Sequence, residues 1–83
     1  MNAKTPTPHR VLVTGASGAS GTPVCRHLLG RGHQVRGLAL EANTDLADSV
    51  IGDLSDLDKV HEAVADMHTV IHLGAYPNNA DFL

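Results

Sequence analysis

Three glycines, Gly15, Gly18 and Gly21, stand three residues apart between an apolar, β-branched run and a helical pattern. Glycine at the end of a strand permits a tight turn, and its missing Cβ lets a bulky anion approach the main chain. The backbone N–H groups that open the next helix lack intrahelical acceptors and lie at the positive end of its dipole. This spacing therefore predicts a turn that can hold a pyrophosphate.

Two other kinds of loop are also rich in glycine and small residues. A flexible Gly/Ser/Ala loop does not require a strand-like run before it and a helix-like run after it, and context of this kind is what makes a glycine motif informative. A triphosphate-binding P-loop requires Gly-Lys-Ser/Thr at the helix start, but Gly21 is followed by Thr22 and no lysine is present there. The dinucleotide interpretation is therefore favoured.

The elements around these glycines alternate between apolar strands and helical patterns. Strands are expected at residues 10–14, 34–40, 49–52 and 69–73, and helices at residues 19–31 and from Ser55 onward. Near-continuous apolar strands separated by helices predict an α/β fold, namely a partial Rossmann-like parallel sheet of about four strands with flanking helices. Right-handed crossovers give the strand order 3-2-1-4, with the ligand at the carboxyl ends of the strands.

Both helices carry features that indicate their faces and ends. Ser55 and Asp58 form a Ser-x-x-Asp pattern, a weaker relative of the capping box, at the start of the second helix. Apolar side chains at helical spacing are expected to face the sheet, and they are Val24, Leu28 and Leu29 in the first helix and Val60, Ala63, Val64 and Met67 in the second.

The 83 residues are enough for one small domain, and 42% apolar with 18% charged residues is a globular composition. The formal charge of −3 argues against nucleic acid as a partner, and no segment approaches the roughly 18 apolar residues of a membrane span. Residues 1–9, polar with two prolines, are expected to be a disordered leader without a signal peptide's apolar region. The single cysteine, Cys25, cannot form an internal disulfide, so a cytoplasmic location is expected.

Three motifs in register resemble those of the extended short-chain dehydrogenases/reductases, the group that contains NAD-dependent epimerases and dehydratases. Residues 14–21 match its Thr-Gly-x-x-Gly-x-x-Gly fingerprint. Residues 52–54, Gly-Asp-Leu, resemble its element after strand three, and residues 70–75 resemble its Val-x-His-Leu-Ala-Ala element at strand four. The resemblance covers about residues 10–76 and implies that residues 10–83 are the N-terminal portion of an NAD(P)-binding Rossmann domain.

The resemblance implies a set of cofactor-binding residues near the strand ends. They are Gly15, Ser17, Gly18, Ala19, Gly21, Glu41, Asp53, Leu54, Leu73, Gly74 and Ala75. In the family the acid after strand three typically contacts the adenine ring, although Asp53 could instead cap or turn the chain. Ser17 either hydrogen-bonds a phosphate or only fits the turn.

The end of the second strand bears on the choice between NAD and NADP. NAD-preferring members usually place an acid there, but this position is Ala39, and Glu41 lies two residues further. NADP-preferring members offer Arg or Lys to the 2′-phosphate, which neither Leu40 nor Glu41 can supply, and Arg36 lies too early in the strand. A nearby carboxylate would repel that phosphate, so NAD is expected, with NADP as the alternative.

The family's catalytic Tyr-x-x-x-Lys pair does not occur in these 83 residues. Tyr76 is the only tyrosine, Ala80 stands four residues later, and no lysine follows Lys59. In the family that tyrosine is the general acid/base and the lysine lowers its pKa. The resemblance thus implies the NAD(P)-binding part of an oxidoreductase or epimerase acting on a sugar or similar hydroxyl compound. The substrate would be bound only in a full-length parent.

The histidines and the cysteine do not form a catalytic or metal-ligating pattern. The six histidines, dispersed over separate elements, are His9, His27, His33, His61, His68 and His72. None has partners in the order of a zinc site, so solvated or packing roles are expected. For His72, beside the family motif, a neutral hydrogen-bonded structural role is favoured over catalysis. Cys25, inside the first helix, is expected to be packed rather than reactive.

Three functional hypotheses follow. The chain is the cofactor-binding part of an enzyme, a nucleotide-binding module without turnover, or a fragment with no independent function. The third is motivated by strand four, which would be an exposed apolar edge prone to aggregation.

Overall fold

A computed structural model of the protein describes residues 8–73. Its elements, in chain order, are β1 (Arg10–Thr14), α1 (Gly21–Gly30), β2 (Gln34–Ala39), β3 (Asp48–Ile51), α2 (Leu57–Val64) and β4 (Thr69–His72). The predicted sequence of strands and helices is confirmed, with small differences at the element ends. Most of the expected leader lies outside the described residues, so its disorder stays a prediction.

The four strands form one parallel sheet in the order β3-β2-β1-β4, which confirms the predicted topology. At the centre, Val13 is in register with Gly37 of β2 on one side and with Ile71 of β4 on the other. All four strands therefore point their carboxyl ends to the same edge. Since β1 has β2 and β4 as its two neighbours, the chain reverses its winding direction at β1, and a crevice opens there.

Two hydrophobic clusters, one on each face of the sheet, hold α1 and α2 in place. Because side chains alternate along a strand, Val11 and Val13 join Cys25 of α1 on one face. Leu12 joins Leu38 and Ala63 of α2 on the opposite face. The continuous apolar run of β1 thus reflects burial on both faces, as expected for a central parallel strand.

The buried faces of the two helices are narrower than the sequence pattern predicted. In α1, Cys25 is fully buried with Val24 and Leu28 packed beside it, whereas Leu29 remains 38% exposed. In α2, Ala63 is the buried position and Val64 is 41% exposed. The expectation that Leu29 and Val64 face the sheet is wrong because short helices on a small sheet bury only their central stripe.

The start of α2 also differs from the prediction. Asp56, not Ser55, is the N-cap, and its carboxylate accepts hydrogen bonds from the backbone N–H groups of Asp58 at 3.1 Å and Lys59 at 3.3 Å. The N–H of Ser55 instead donates to Asp53 Oδ1 at 3.1 Å, an Asx-turn that bends the chain before the helix begins. The expected Ser55–Asp58 capping pattern is therefore wrong.

The opposite end of α2 is held by Arg36 of β2. Its Nη1 donates to the carbonyl oxygens of Glu62, Ala63 and Ala65 at 3.0–3.2 Å, and its Nε pairs with Asp48 at 2.9 Å. A cation at a helix C-terminus also complements the dipole. Arg36 is thus committed to fixing α2 on the sheet. Among the described residues, no helix is long and apolar enough to cross a membrane.

Candidate functional site

A cavity of about 460 Å³ opens at the carboxyl ends of the strands. Its walls are Gly15, Ser17, Gly18, Ala19, Ser20, Gly21, Leu38, Ala39, Leu40, Gly52, Asp53, Leu54 and Leu73. The turn between β1 and α1 supplies one side, and the ends of β2, β3 and β4 supply the others. The fold therefore brings together glycine-turn and strand-end residues that lie up to 58 positions apart in the chain, from Gly15 to Leu73.

Backbone hydrogen bonds hold the glycine turn in shape, and its backbone leaves no space for a side chain at Gly21. Gly15 adopts φ 71°, in the left-handed region that favours glycine, and its N–H donates to Leu38 O at 2.9 Å. The N–H of Gly18 returns to Gly15 O at 3.1 Å. A Cβ on Gly21 would lie 1.9 Å from Gly15 O, so the first residue of α1 packs directly on the turn's backbone.

The cavity lining includes three backbone donors of the glycine turn. The N–H groups of Ser17, Ala19 and Ser20 make no hydrogen bond to any other group within residues 8–73. Ser20 is the N-cap of α1 without a side-chain capping bond, and the first turn of α1 has no acidic residue. Free N–H groups at the positive end of a helix dipole form an anion site.

Charge in the lining is sparse. No Lys or Arg borders the cavity among the described residues, and Asp53 is its one charged side chain. An anion in this cavity would therefore be held by main-chain dipoles rather than by side-chain charge. Apolar side chains such as Leu38, Leu54 and Leu73 also line the cavity and would pack against a ring of a bound ligand.

Thr14 joins the ends of β1 and β4 beside the cavity. Its buried hydroxyl shares a 2.7 Å hydrogen bond with His72 Nδ1 and accepts the N–H of Leu73 at 3.0 Å. The Thr14 carbonyl also accepts from Leu73 N at 3.2 Å. These bonds give His72 the hydrogen-bonded structural position that the sequence favoured, and they fix Leu73 at the cavity wall.

Of the residues expected at the site, those within residues 8–73 line this cavity with one exception. Glu41 is exposed just past β2 and is not part of the wall, which its neighbour Leu40 reaches instead. Gly74 and Ala75 lie outside the described residues, as do Tyr76 and Ala80. The predicted cofactor-binding set did not include five further lining residues, which are Ser20, Leu38, Ala39, Leu40 and Gly52. These residues could have been predicted from their position at the ends of strands and of a helix, because the carboxyl ends of parallel strands meet at a common edge of the sheet.

Cys25 is not placed for chemistry. Burial raises the pKa of its thiol, and the negative charge of Asp45 raises it further. A thiol that holds its proton is a poor nucleophile. Its Sγ lies 4.0 Å from Ala16 O, so the side chain fills the space behind the glycine turn.

Three histidines gather at the amino ends of the strands, away from the cavity. Nδ1 of His33 and of His68 accept the backbone N–H groups of His9 at 3.1 Å and Arg10 at 3.0 Å. A ring nitrogen that accepts such a bond is not free to coordinate a metal. Within residues 8–73, no group of three or more His, Cys, Asp or Glu side chains is placed to hold a metal ion.

A known protein family matches most of the chain. The model of the NAD dependent epimerase/dehydratase family matches residues 11–82. A 3-beta-hydroxysteroid dehydrogenase of Mycolicibacterium neoaurum is 41% identical over 71 residues, covering 80% of this chain and 19% of that protein. A 2-alkyl-3-oxoalkanoate reductase of Stenotrophomonas maltophilia is 39% identical over 70 residues, covering 80% of this chain and 21% of that protein.

Solved structures share the fold. A short-chain dehydrogenase/reductase superfamily protein from Agrobacterium tumefaciens with bound NAD superposes with a TM-score of 0.78 at 35% identity, over 88% of this chain and 23% of that one. The Bordetella bronchiseptica enzyme WbmG in complex with NAD superposes with a TM-score of 0.72 over 96% of this chain and 29% of that one. Its 22% identity supports the fold alone. The chain spans about a fifth of the length of the two dehydrogenase and reductase relatives.

Proposed function

Because the chain belongs to the NAD-dependent epimerase/dehydratase family, we propose that its cavity binds NAD as the cofactor-holding part of an oxidoreductase or epimerase. The observation that carries the proposal is the set of N–H groups at Ser17, Ala19 and Ser20 that have no acceptor among residues 8–73, on a glycine turn at the carboxyl ends of a parallel sheet. That arrangement suits a pyrophosphate, which needs several donors and a main chain without obstructing side chains.

The chemistry of the wall fits the rest of a dinucleotide. Ser17, Gly18 and Ala19 would hold the phosphates through the main chain, and Asp53 with Leu54 would meet the adenine through a polar and an apolar group. Leu73, with Gly74 and Ala75 after it, would pass beside the cofactor. The cavity volume of about 460 Å³ lies within the usual range for ligand sites. When bound, NAD supplies a reversible hydride acceptor.

The charges near the cavity support NAD over NADP. A 2′-phosphate needs a cation, and Arg36 is occupied by Asp48 and the carbonyl groups of α2. Asp53 and the exposed Glu41 are negative and would repel that phosphate. Glu41 does not line the cavity, and we propose that it binds the ribose hydroxyls after the connector bends toward the cavity.

The proposed reaction class follows from the family and not from the cavity itself. A sugar or similar hydroxyl compound is the substrate class we infer, to be bound with the catalytic pair in a longer protein. No nucleic acid is proposed as a partner, since the chain has a net charge of −3. A cytoplasmic location is part of the proposal, supported by a single buried cysteine without a disulfide partner.

Titration calorimetry of the full chain with NAD⁺ and NADP⁺ tests this proposal. Saturable binding of NAD⁺ is expected, with NADP⁺ weaker by about tenfold or more, equivalent to about 1.4 kcal/mol. The variant Gly18→Asp places a carboxylate beside the free N–H groups and should weaken NAD⁺ binding at least as much. Gly30→Asp adds the same charge at the far end of α1, where a new side chain meets nothing within 4 Å, and should bind like the parent. A folded chain that gives no heat with millimolar NAD⁺ contradicts the proposal.

A further inference from the structure

Asn43 is buried although it lies in the connector between β2 and β3. It is 7% exposed, and Thr14 is the other buried polar residue in the described part of the chain. Its side-chain Nδ2 donates to Ala16 O at 2.8 Å, and its Oδ1 accepts the N–H of Asp45 at 2.8 Å. The second bond closes a local Asx-turn within the connector, whereas the first joins the connector to the glycine turn 27 residues earlier.

The bond to Ala16 acts on a donor of the cavity through the geometry of the peptide unit. The carbonyl of Ala16 and the N–H of Ser17 belong to one planar trans peptide, so they point in opposite directions. Ser17 lines the cavity, whereas Ala16 and Asn43 do not, and the bond from Asn43 fixes the orientation of the Ala16 carbonyl. The same bond therefore fixes the direction of the Ser17 N–H, which has no acceptor among residues 8–73.

Further contacts make this support rigid. Asp45, whose N–H is bound by Asn43, pairs with Arg26 of α1 at 2.8 Å, so the connector is attached to the helix that begins at the site. Ala16 itself is buried, and it packs so closely on β2 that a Cβ built on Gly37 would lie 2.8 Å from the Ala16 Cβ. A buried polar side chain with both ends bonded favours a single arrangement.

We propose that Asn43 is a positioning residue for the cofactor, which orients the Ser17 N–H toward a phosphate group by holding Ala16 O. The inference rests on the proposed function, since it names how that site is kept in a binding conformation. A carboxylate at position 43 would keep the Asp45 bond but face Ala16 O with a second acceptor. The peptide would then turn or lose its support.

Binding of NAD⁺, ADP and adenosine to the parent and to Asn43→Asp tests the inference, with Thr44→Ala, at an exposed neighbouring position, as the matched control. Asn43→Asp should weaken NAD⁺ and ADP by about tenfold or more, while adenosine, which has no phosphate, binds as in the parent. Thr44→Ala should leave all three unchanged. If Asn43→Asp binds ADP like the parent, or loses ADP and adenosine equally, the inference is wrong.

Amide chemical shifts supply a second readout, which can be measured in the parent chain without any substitution. In the parent chain, ADP should shift the Ser17 amide proton downfield, and adenosine should not. If Asn43→Asp does not fold, Asn43→Ser, a smaller and uncharged change, takes its place. In Asn43→Ser the shift of the Ser17 amide proton on ADP binding should be smaller than in the parent. An unchanged Ser17 amide in ADP-saturated parent chain overturns the inference. A parent chain that binds neither NAD⁺ nor ADP instead overturns the proposed function.

Discussion

At the scale of single residues, Gly21 shows why the glycine spacing is a structural requirement as well as a binding feature. A Cβ at this position would lie 1.9 Å from Gly15 O and 2.8 Å from the Cα of Ala16. All of these contacts are with backbone atoms, which cannot move aside as a flexible side chain can. The third glycine of the motif therefore allows α1 to start against the end of β1.

Replacing Gly21 by alanine should prevent the close approach and unfold or strongly destabilise the chain. We expect a loss of about 3 kcal/mol or more in the free energy of unfolding, since the overlap exceeds ordinary overpacking. The matched control is Gly30→Ala in the same helix, where a Cβ meets nothing within 4 Å. It should leave stability unchanged or raise it by up to about 1 kcal/mol. Urea unfolding followed by circular dichroism measures both, and equal midpoints for the two variants would contradict this account.

At the scale of elements, the start of α2 was decided by two acidic residues that compete as turn formers. Asp53 accepts from the Ser55 N–H and bends the chain, which leaves Asp56 to cap the helix at Leu57. A sequence pattern can suggest any of Asp53, Ser55 or Asp56 as the cap, because all three side chains accept hydrogen bonds from nearby N–H groups. The path of the chain from β3 to the helix selects among them.

Asp56→Ala should lower the free energy of unfolding by about 1 kcal/mol, because the N–H groups of Asp58 and Lys59 lose their acceptor. Ser55→Ala is the control, since the observed bond of Ser55 uses its backbone N–H and survives the change. The control should stay within about 0.5 kcal/mol of the parent. Chemical denaturation of both variants is the measurement. A larger loss in Ser55→Ala than in Asp56→Ala would restore the capping pattern expected from the sequence.

At the scale of the whole molecule, the sheet is less well covered at its edges than at its centre. In the described part of the chain, β4 has β1 as its neighbour on one side, and Val70 on β4 is 51% exposed. Ile51 on β3, at the other edge, is exposed as well. Apolar side chains on edge strands favour pairing with other chains.

The isolated 83-residue chain should therefore melt over a broad range and scatter more light as its concentration rises. NAD⁺ at about 100 times its dissociation constant should add about 2.7 kcal/mol of stability, since it binds the folded state alone. Calorimetric melts and light scattering, with and without NAD⁺, test the expectation. A sharp two-state melt of a monomeric chain without ligand would show that the two core clusters suffice and would contradict it.

The strands, the glycine turn and the strand order could be predicted from the sequence, because the patterns that indicate strands and turns extend over only a few residues. The apolar runs around Leu12 and Val70 predict strands, and the spacing of Gly15, Gly18 and Gly21 predicts the turn. The strand order then follows from the handedness of the crossovers, which leaves few arrangements. Asp53, Leu54 and Leu73 of the family motifs line the cavity because they lie within three residues of a strand's end, and their contact with a cofactor stays a prediction.

The tertiary structure decided the features that depend on residues far apart in the chain. The bond from Asn43 to Ala16 O, the exposure of Leu29 and the use of Ser20 and Leu38 as cavity wall all require the sheet to be assembled first. Local propensity cannot show which of several polar side chains is buried, because burial is set by what packs on it. The sequence alone thus determined a glycine turn suited to a pyrophosphate, and the assembled sheet decided which groups hold that turn in shape.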